Sequence, residues 1–216
     1  MDRQKISFVE KDILTEVGSV CVGNATAALE QILCRKIELE LPGLKIIDIN
    51  ELSRVLSASP EDVAVGLHTR IVGGAKGNAL LIFLKNDAFS VLDLLIGSQN
   101  DKPSSLTELS ISALKEMGNI VISAYLSALT SFVGISAFPS TITFTRGSID
   151  SLVNLAFFGL VKQEGMQIII IEAVLKESKR DLAGKFFIIF DSLTIREILA
   201  KAKMMVKYEE HEEKKM

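Results

Sequence analysis

The sequence predicts an α/β protein built from two copies of one unit. Each copy is a helix, strands, a hairpin and a second helix, and the copies join pseudo-twofold into one sheet with helices packed on it. Three observations predict this. Residues 12–33 (DILTEVGSVCVGNATAALEQIL) return as residues 112–133 (SALKEMGNIVISAYLSALTSFV), offset by 100 positions without a gap. Residues 77–95 (GNALLIFLKNDAFSVLDLL) return more loosely as 184–199 (GKFFIIFDSLTIREIL), each an apolar run, a polar break and a helical pattern. Between the copies, residues 97–105 (GSQNDKPSS) carry the Gly, Pro and Ser of a linker. The whole chain reads as one domain, 1–216, with an internal repeat over 11–97 and 106–200.

The elements follow in order. In the first helix Ile13, Val17, Val20, Cys21, Ala28, Ile32 and Leu33 recur at spacings of three and four, an apolar stripe expected to face the core. Pro42-Gly43 reads as a turn. Val63–Val72 and the run after Gly77 read as a hairpin whose loop contains Gly73-Gly74; Met166–Leu175 and the run after Gly184 read as its counterpart across Lys179-Arg180-Asp181. The runs are rich in Ile, Phe and Val, as buried sheet requires. Ser105 or Thr107 is positioned to cap the second long helix, in which Leu114, Met117, Val121, Ala124, Ala128 and Phe132 form the core stripe. Asp181 and Asp191 read as turn residues flanking a strand. From Lys201 to Met216 the chain is charged with mixed signs, the expected fraying end of a helix and a solvated tail.

Composition excludes several functions. Of 216 residues, 48% are apolar and 24% charged, and the net charge is −3. A mildly acidic chain lacks the clustered basic surface that nucleic acid demands, so no nucleic-acid partner is expected. The two histidines, His68 and His211, are too few for a His-rich metal site, and there is no Cys-x-x-Cys pair. His68 falls in an alternating strand pattern and is expected half-exposed. Cys21 and Cys34 read as packed core residues of a reduced, cytoplasmic protein. The charges within Met1–Asp12 leave no signal-peptide core. The uncharged stretch between Glu116 and Arg146 is interrupted by Asn119, several Ser and Thr residues and Pro139. It reads as a buried helix and a strand, so no membrane span is expected. Gly73-Gly74-Ala75-Lys76-Gly77-Asn78 lacks the spacing of a phosphate-binding loop and reads as a tight hairpin.

The chemistry-bearing candidates lie opposite the core stripe of the second helix: Ser112, Glu116, Asn119, Ser123 and Ser127. Glu116 and Asn119 are three apart and share one face. Two readings are open on residue type alone. Such a pair is an ordinary solvated face in most helices. Against that, Asn is a poor residue for a helix interior, and the same Glu recurs as Glu16 in an otherwise divergent copy.

Ser112-x-x-x-Glu116-x-x-Asn119, repeated as Asp12-x-x-x-Glu16-x-x-Ser19, resembles the signature of the CheC/CheX/FliY phosphatase family. The likeness extends from about Lys11 to Leu199 and includes Glu16-Val17-Gly18, Glu116-Met117-Gly118-Asn119-Ile120 and Leu92-Asp93-Leu94-Leu95-Ile96-Gly97. The resemblance implies a CheC-like fold and hydrolysis of the aspartyl phosphate on phosphorylated CheY in chemotaxis. It implies that the receiver brings its own Mg²⁺ and a lysine, so the phosphatase needs no cofactor. It assigns Asn119 to orienting the attacking water, Glu116 to pairing with the receiver's lysine, and Ser112 and Asp12 to accessory contacts. Glu16 with Ser19 becomes a second, degenerate site, because a serine hydroxyl replaces the asparagine amide. The resemblance also allows a non-catalytic alternative, a module that regulates the receptor deamidase CheD or assembles like a flagellar switch protein. No switch-type domain follows Leu199 in the sequence, which favours the catalytic expectation.

Overall fold

The computed structural model describes residues 7–48, 63–97, 106–157, 167–177 and 182–213. In chain order the elements are α1 (Phe8–Leu33), β1 (Ile37–Asp48), β2 (Val63–Gly73), β3 (Gly77–Leu84), α2 (Lys85–Ile96), α3 (Glu108–Val133), β4 (Ala137–Pro139), β5 (Thr143–Ser148), α4 (Ile149–Phe157), β6 (Gln167–Glu177), β7 (Leu182–Phe190) and α5 (Ser192–Glu213). The Lys179-Arg180-Asp181 loop and linker residues 98–105, Ser105 among them, lie outside the described residues.

The long helices α1 and α3 are copies down to their ends. Ser7 caps α1 in a capping box with Glu10, and Thr107 caps α3 by accepting from the Ser110 amide. At the other end Cys34 and Gly134 both take the left-handed conformation that satisfies the last carbonyls. The buried residues correspond too: Leu14, Val17, Gly18, Cys21, Leu29 and Leu33 in α1, and Leu114, Met117, Gly118, Val121, Leu129 and Val133 in α3. Two expectations fail here. Val20 lies one residue off the buried stripe and is 40% exposed. Cys34 is exposed, because its place at the helix end turns it outward. Cys21 is buried, and desolvation pushes its thiol pKa up to about 12, which leaves it inert.

All strand pairs in the sheet are antiparallel, in the order β1-β6-β7-β3-β2, with β4 and β5 both on the outer edge of β2. This order is palindromic under exchange of the two copies. At its centre β3 pairs with β7 so that Gly77 faces Phe190 and Phe83 faces Gly184. The pseudo-twofold axis therefore passes through the Leu80–Phe187 pair. The symmetry reaches the edges. β1 carries a bulge between Glu40 and Gly43, and the matching strand is broken between Pro139 and Thr143. Pro42-Gly43, expected as a turn, thus lies within a strand. A bulge answers the missing proline N–H and the local bend as well as a turn would.

Alternation along the strands feeds two cores. Val65, Leu67, Ile71, Leu81, Phe83, Phe186 and Ile188 meet α1, α2, α3 and α5 on one face. Leu80, Ile82, Phe187 and Ile189 meet α4 on the other. Tyr125 of α3 stacks edge-on against Phe186, centroids 5.5 Å apart, while its buried hydroxyl has no hydrogen-bond partner. α5 does not fray at Lys201. It continues to Glu213, with Ala202 buried, Lys201 donating to the Gly134 carbonyl and Lys203 paired with Glu10. Asp191, expected as a turn residue, caps α5 by accepting from the Thr194 amide at 2.8 Å.

The Lys203–Glu10 contact has a pH signature. The Lys203 ammonium, with the Ser7 amide and hydroxyl, lowers the Glu10 carboxyl to about 2. A depressed carboxylate stabilises the fold above its unfolded pKa and loses that contribution as pH falls through the folded one. The pair is partly solvated, its side chains 45% and 25% exposed, so it contributes less than about 1 kcal/mol. Lys203→Ala should melt slightly below the parent at pH 7, with the gap closing between about pH 5 and pH 2. A gap that stays constant in thermal melts across that range would contradict this.

Candidate functional site

Glu116 and Asn119 lie on the outward face of α3, in the turns just after Leu114 and Met117 enter the core. Glu116 is exposed and Asn119 half-buried. Gly118 sets their depth. A Cβ there would stand 2.9 Å from Leu67 Cδ1 and 3.3 Å from Leu67 Cβ, so glycine lets α3 settle closely on β2.

A shallow cleft of about 340 Å³ opens beside this face. Ser112, Lys115, Glu116 and Asn119 form its helical wall, and Ser140, Thr141 and Ile142 form the other. The second wall is the break between β4 and β5. Ser140 is held there by its amide donating to the Arg70 carbonyl at 2.8 Å, and β4 is tied to α3 by the Ala137 amide donating to Thr130 Oγ1 at 3.1 Å. Among the described residues, neither Glu116 nor Asn119 has a hydrogen-bond or ion-pair partner in its own chain. A carboxylate and a primary amide one turn apart are thus offered outward, one acceptor group beside a group that both donates and accepts. Sequence reasoning singled out Ser112, Glu116 and Asn119 and missed Lys115, Ser140, Thr141 and Ile142. Lys115 was legible as a neighbour at the i+3 position from Ser112; the other three come from the break between β4 and β5 and carry no local signal.

The first copy repeats the layout without the same chemistry. Asp12 and Glu16 are exposed and Ser19 is half-buried, as their counterparts are. But Ser19 Oγ donates to the Thr15 carbonyl at 2.8 Å, and Thr15 Oγ1 donates to the Lys11 carbonyl at 2.8 Å. Both hydroxyls are turned back on their own helix. The pair of three-apart polar side chains therefore reaches outward in α3, while α1 keeps only its carboxylates free.

A larger groove of about 860 Å³ runs beside α4 and includes His68, Arg70, Lys76 and Asn78. It shares only Ser140 and Thr141 with the cleft and contains neither Glu116 nor Asn119. His68 is half-buried on β2, 3.5 Å from Thr145 Oγ1, and desolvation lowers its pKa. Among the described residues no cluster of three or more His, Cys, Asp or Glu is placed to hold a metal ion, and no helix is long and apolar enough to cross a membrane.

No protein-family model matches the chain. It is 32% identical over 159 residues to the CheY-P phosphatase CheC of Bacillus subtilis (strain 168), across 73% of this chain and 71% of that protein. Among solved structures it resembles Thermotoga maritima FliY, with a TM-score of 0.74 at 18% identity over 93% of this chain and 99% of that one. It also resembles a chain of the CheX–CheY–BeF₃–Mg²⁺ complex from Borrelia burgdorferi, with a TM-score of 0.54 at 16% identity over 87% and 100% of the two chains. The duplicated helices with their Glu-x-x-Asn and Glu-x-x-Ser faces, the palindromic sheet and the extended identity to CheC together make this chain a member of the CheC-type family.

Proposed function

We propose that this chain is a phosphatase acting on the aspartyl phosphate of a CheY-type receiver in chemotaxis signalling, and that α3 supplies the active face. The observation that carries the reading is the unpartnered Glu116–Asn119 pair at the mouth of a shallow cleft, set against the self-bonded Ser19 of the other copy. A shallow site suits a macromolecular substrate that brings its own reactive group. The names of the CheC relative and of the CheX–CheY complex support the same substrate class.

The reaction is hydrolysis. Water attacks phosphorus, its oxygen forms the new P–O bond, the bond to the aspartyl oxygen breaks, and the products are inorganic phosphate and the free carboxylate. Mg²⁺ held by the receiver would neutralise charge on the phosphoryl group. Asn119 has no basicity to offer. Its carbonyl accepts from the water and its NH₂ donates to it or to a phosphoryl oxygen, which fixes the water in line with phosphorus. Phosphoryl transfer gains most from such positioning. Glu116 pairs with a receiver lysine and sets the docking angle, and Ser112 adds a rim contact. On this reading the protein shares the cytoplasm with its receiver substrate.

Glu16 and Asp12 retain docking capacity while Ser19 supplies no water-orienting group, so the two faces are unequal. Ser19→Ala should leave phosphatase activity within about twofold of the parent, as expected for a hydroxyl already satisfied by its own helix. The test of the whole reading is the decay of the phosphorylated receiver with Mg²⁺, with and without this protein. Acceleration establishes the phosphatase. Binding with no acceleration would replace it by the non-catalytic module, with CheD regulation the first role to examine.

A further inference from the structure

Lys115 is the one cation in the lining of the cleft that holds Glu116 and Asn119. It stands four residues before Asn119 and three after Ser112, so the three side chains stack along one wall. Glu116, next to it in sequence, is offset by about 100° round the helix, and although both line the cleft they form no ion pair among the described residues. Among the described residues Lys115 has no ion pair and no hydrogen bond, although it is half-buried. The other copy gives the contrast. The positions equivalent to Lys115 and Asn119 are Thr15 and Ser19, and both bond back to their own helix. Lys115 and Asn119 thus both differ from their counterparts in α1, and both line the cleft.

We infer that Lys115 contacts the phosphoryl group of the docked receiver directly, as a second positioning residue beside Asn119. This rests on the phosphatase reading above. The transferring phosphoryl group spreads negative charge over its equatorial oxygens, and a cation beside them stabilises that charge. An ammonium on a flexible stem acts there as a point charge, needing only to come within hydrogen-bond distance of one oxygen. The neutral amide of Asn119 cannot perform that task, and the Glu116 carboxylate opposes it. Ser140 and Thr141, across the cleft, offer hydroxyl donors that limit how far the phosphoryl group can slide away from Lys115.

The inference separates by which form of the receiver is bound. Affinity is measured for the receiver with Mg²⁺ alone and with Mg²⁺ and beryllium fluoride, using the parent chain, Lys115→Met and Lys115→Arg. Lys115→Met should weaken binding of the beryllofluoride form about tenfold, as loss of a charge-assisted hydrogen bond does, and leave the unmodified form within twofold. Lys115→Arg should restore most of the loss. Equal weakening of both forms would overturn the inference and make Lys115 a contact to an acidic receiver surface; no weakening of either would overturn it outright. If the parent chain neither binds the beryllofluoride form nor accelerates decay, the phosphatase reading itself fails, which is a distinct result.

Discussion

Asn119→Ala should lower the rate of receiver dephosphorylation by roughly 100-fold or more, the scale set by losing the group that positions a reactant. The substitution removes both halves of the amide at once, the acceptor and the donor. Nothing else in the cleft replaces them: Glu116 is an acceptor only, Lys115 a donor only, and Ser112, Ser140 and Thr141 carry single hydroxyls. Alanine keeps the helix, since it is the better helix former. The half-buried Asn119 makes no hydrogen bond within the described residues, so the fold should lose nothing. Binding of the activated receiver should change less than about threefold, because docking is assigned to Glu116 and the charge contact to Lys115. Asn119→Asp should not rescue the rate, since a carboxylate beside the phosphoryl oxygens repels them. The check is acyl-phosphate decay in parallel with Ser19→Ala. A variant at position 119 as fast as the parent would remove α3 from the active site, and equal losses at 19 and 119 would remove the asymmetry between the copies.

The largest loss of stability should come from Gly77→Ala. Gly77 opens β3 at the centre of the sheet, opposite Phe190 of β7. A Cβ at Gly77 would overlap the Ile189 carbonyl oxygen and stand 2.9 Å from Phe190 Cα. Both are backbone atoms of a strand paired on its two sides, by β3 and β6, so neither can move without breaking ladder bonds. The expected cost is about 3 kcal/mol, the upper range for overpacking a core, or a fall of roughly 6–12 °C in Tm for a chain of this size. Gly184→Ala, its symmetry mate, should cost less. There the added methyl meets the buried Phe83 ring, a side chain and not the backbone of a paired strand. Denaturant unfolding of the two variants tests both the magnitude and the order. Gly77→Ala within 0.5 kcal/mol of the parent would refute the close approach of β3 and β7 at this point.

The division between what was legible in the sequence and what was not follows the range of the interactions. The repeat at an offset of 100 carried the paired helices and the Glu-x-x-Asn face, and Thr107 was legible as a cap, because helix periodicity and capping are properties of residues within a few positions of each other; the Ser7 capping box was missed. The hairpin around Gly73-Gly74 was legible for the same reason. Pro42-Gly43 misled because proline and glycine signal a bend locally, and only the cross-strand register distinguishes a bulge from a turn. Val20 misled because an apolar residue near a core stripe is buried or exposed by a rotation of one residue, and Cys34 because the helix ends there and turns it outward. The length of α5 was hidden because its support comes from Gly134 and Glu10, far away in the chain.

By itself, then, the sequence determined the duplicated α/β plan and the residues Glu116 and Asn119 on one helical face, since periodicity and spacing are local. Only the tertiary structure decided that Ser140–Ile142 close a cleft against that face, that Lys115 lines it, and that Ser19 is spent on its own helix. Those facts depend on how a strand break some twenty residues on packs against α3, and on which partner a short hydroxyl reaches first. Residue spacing along the chain encodes neither.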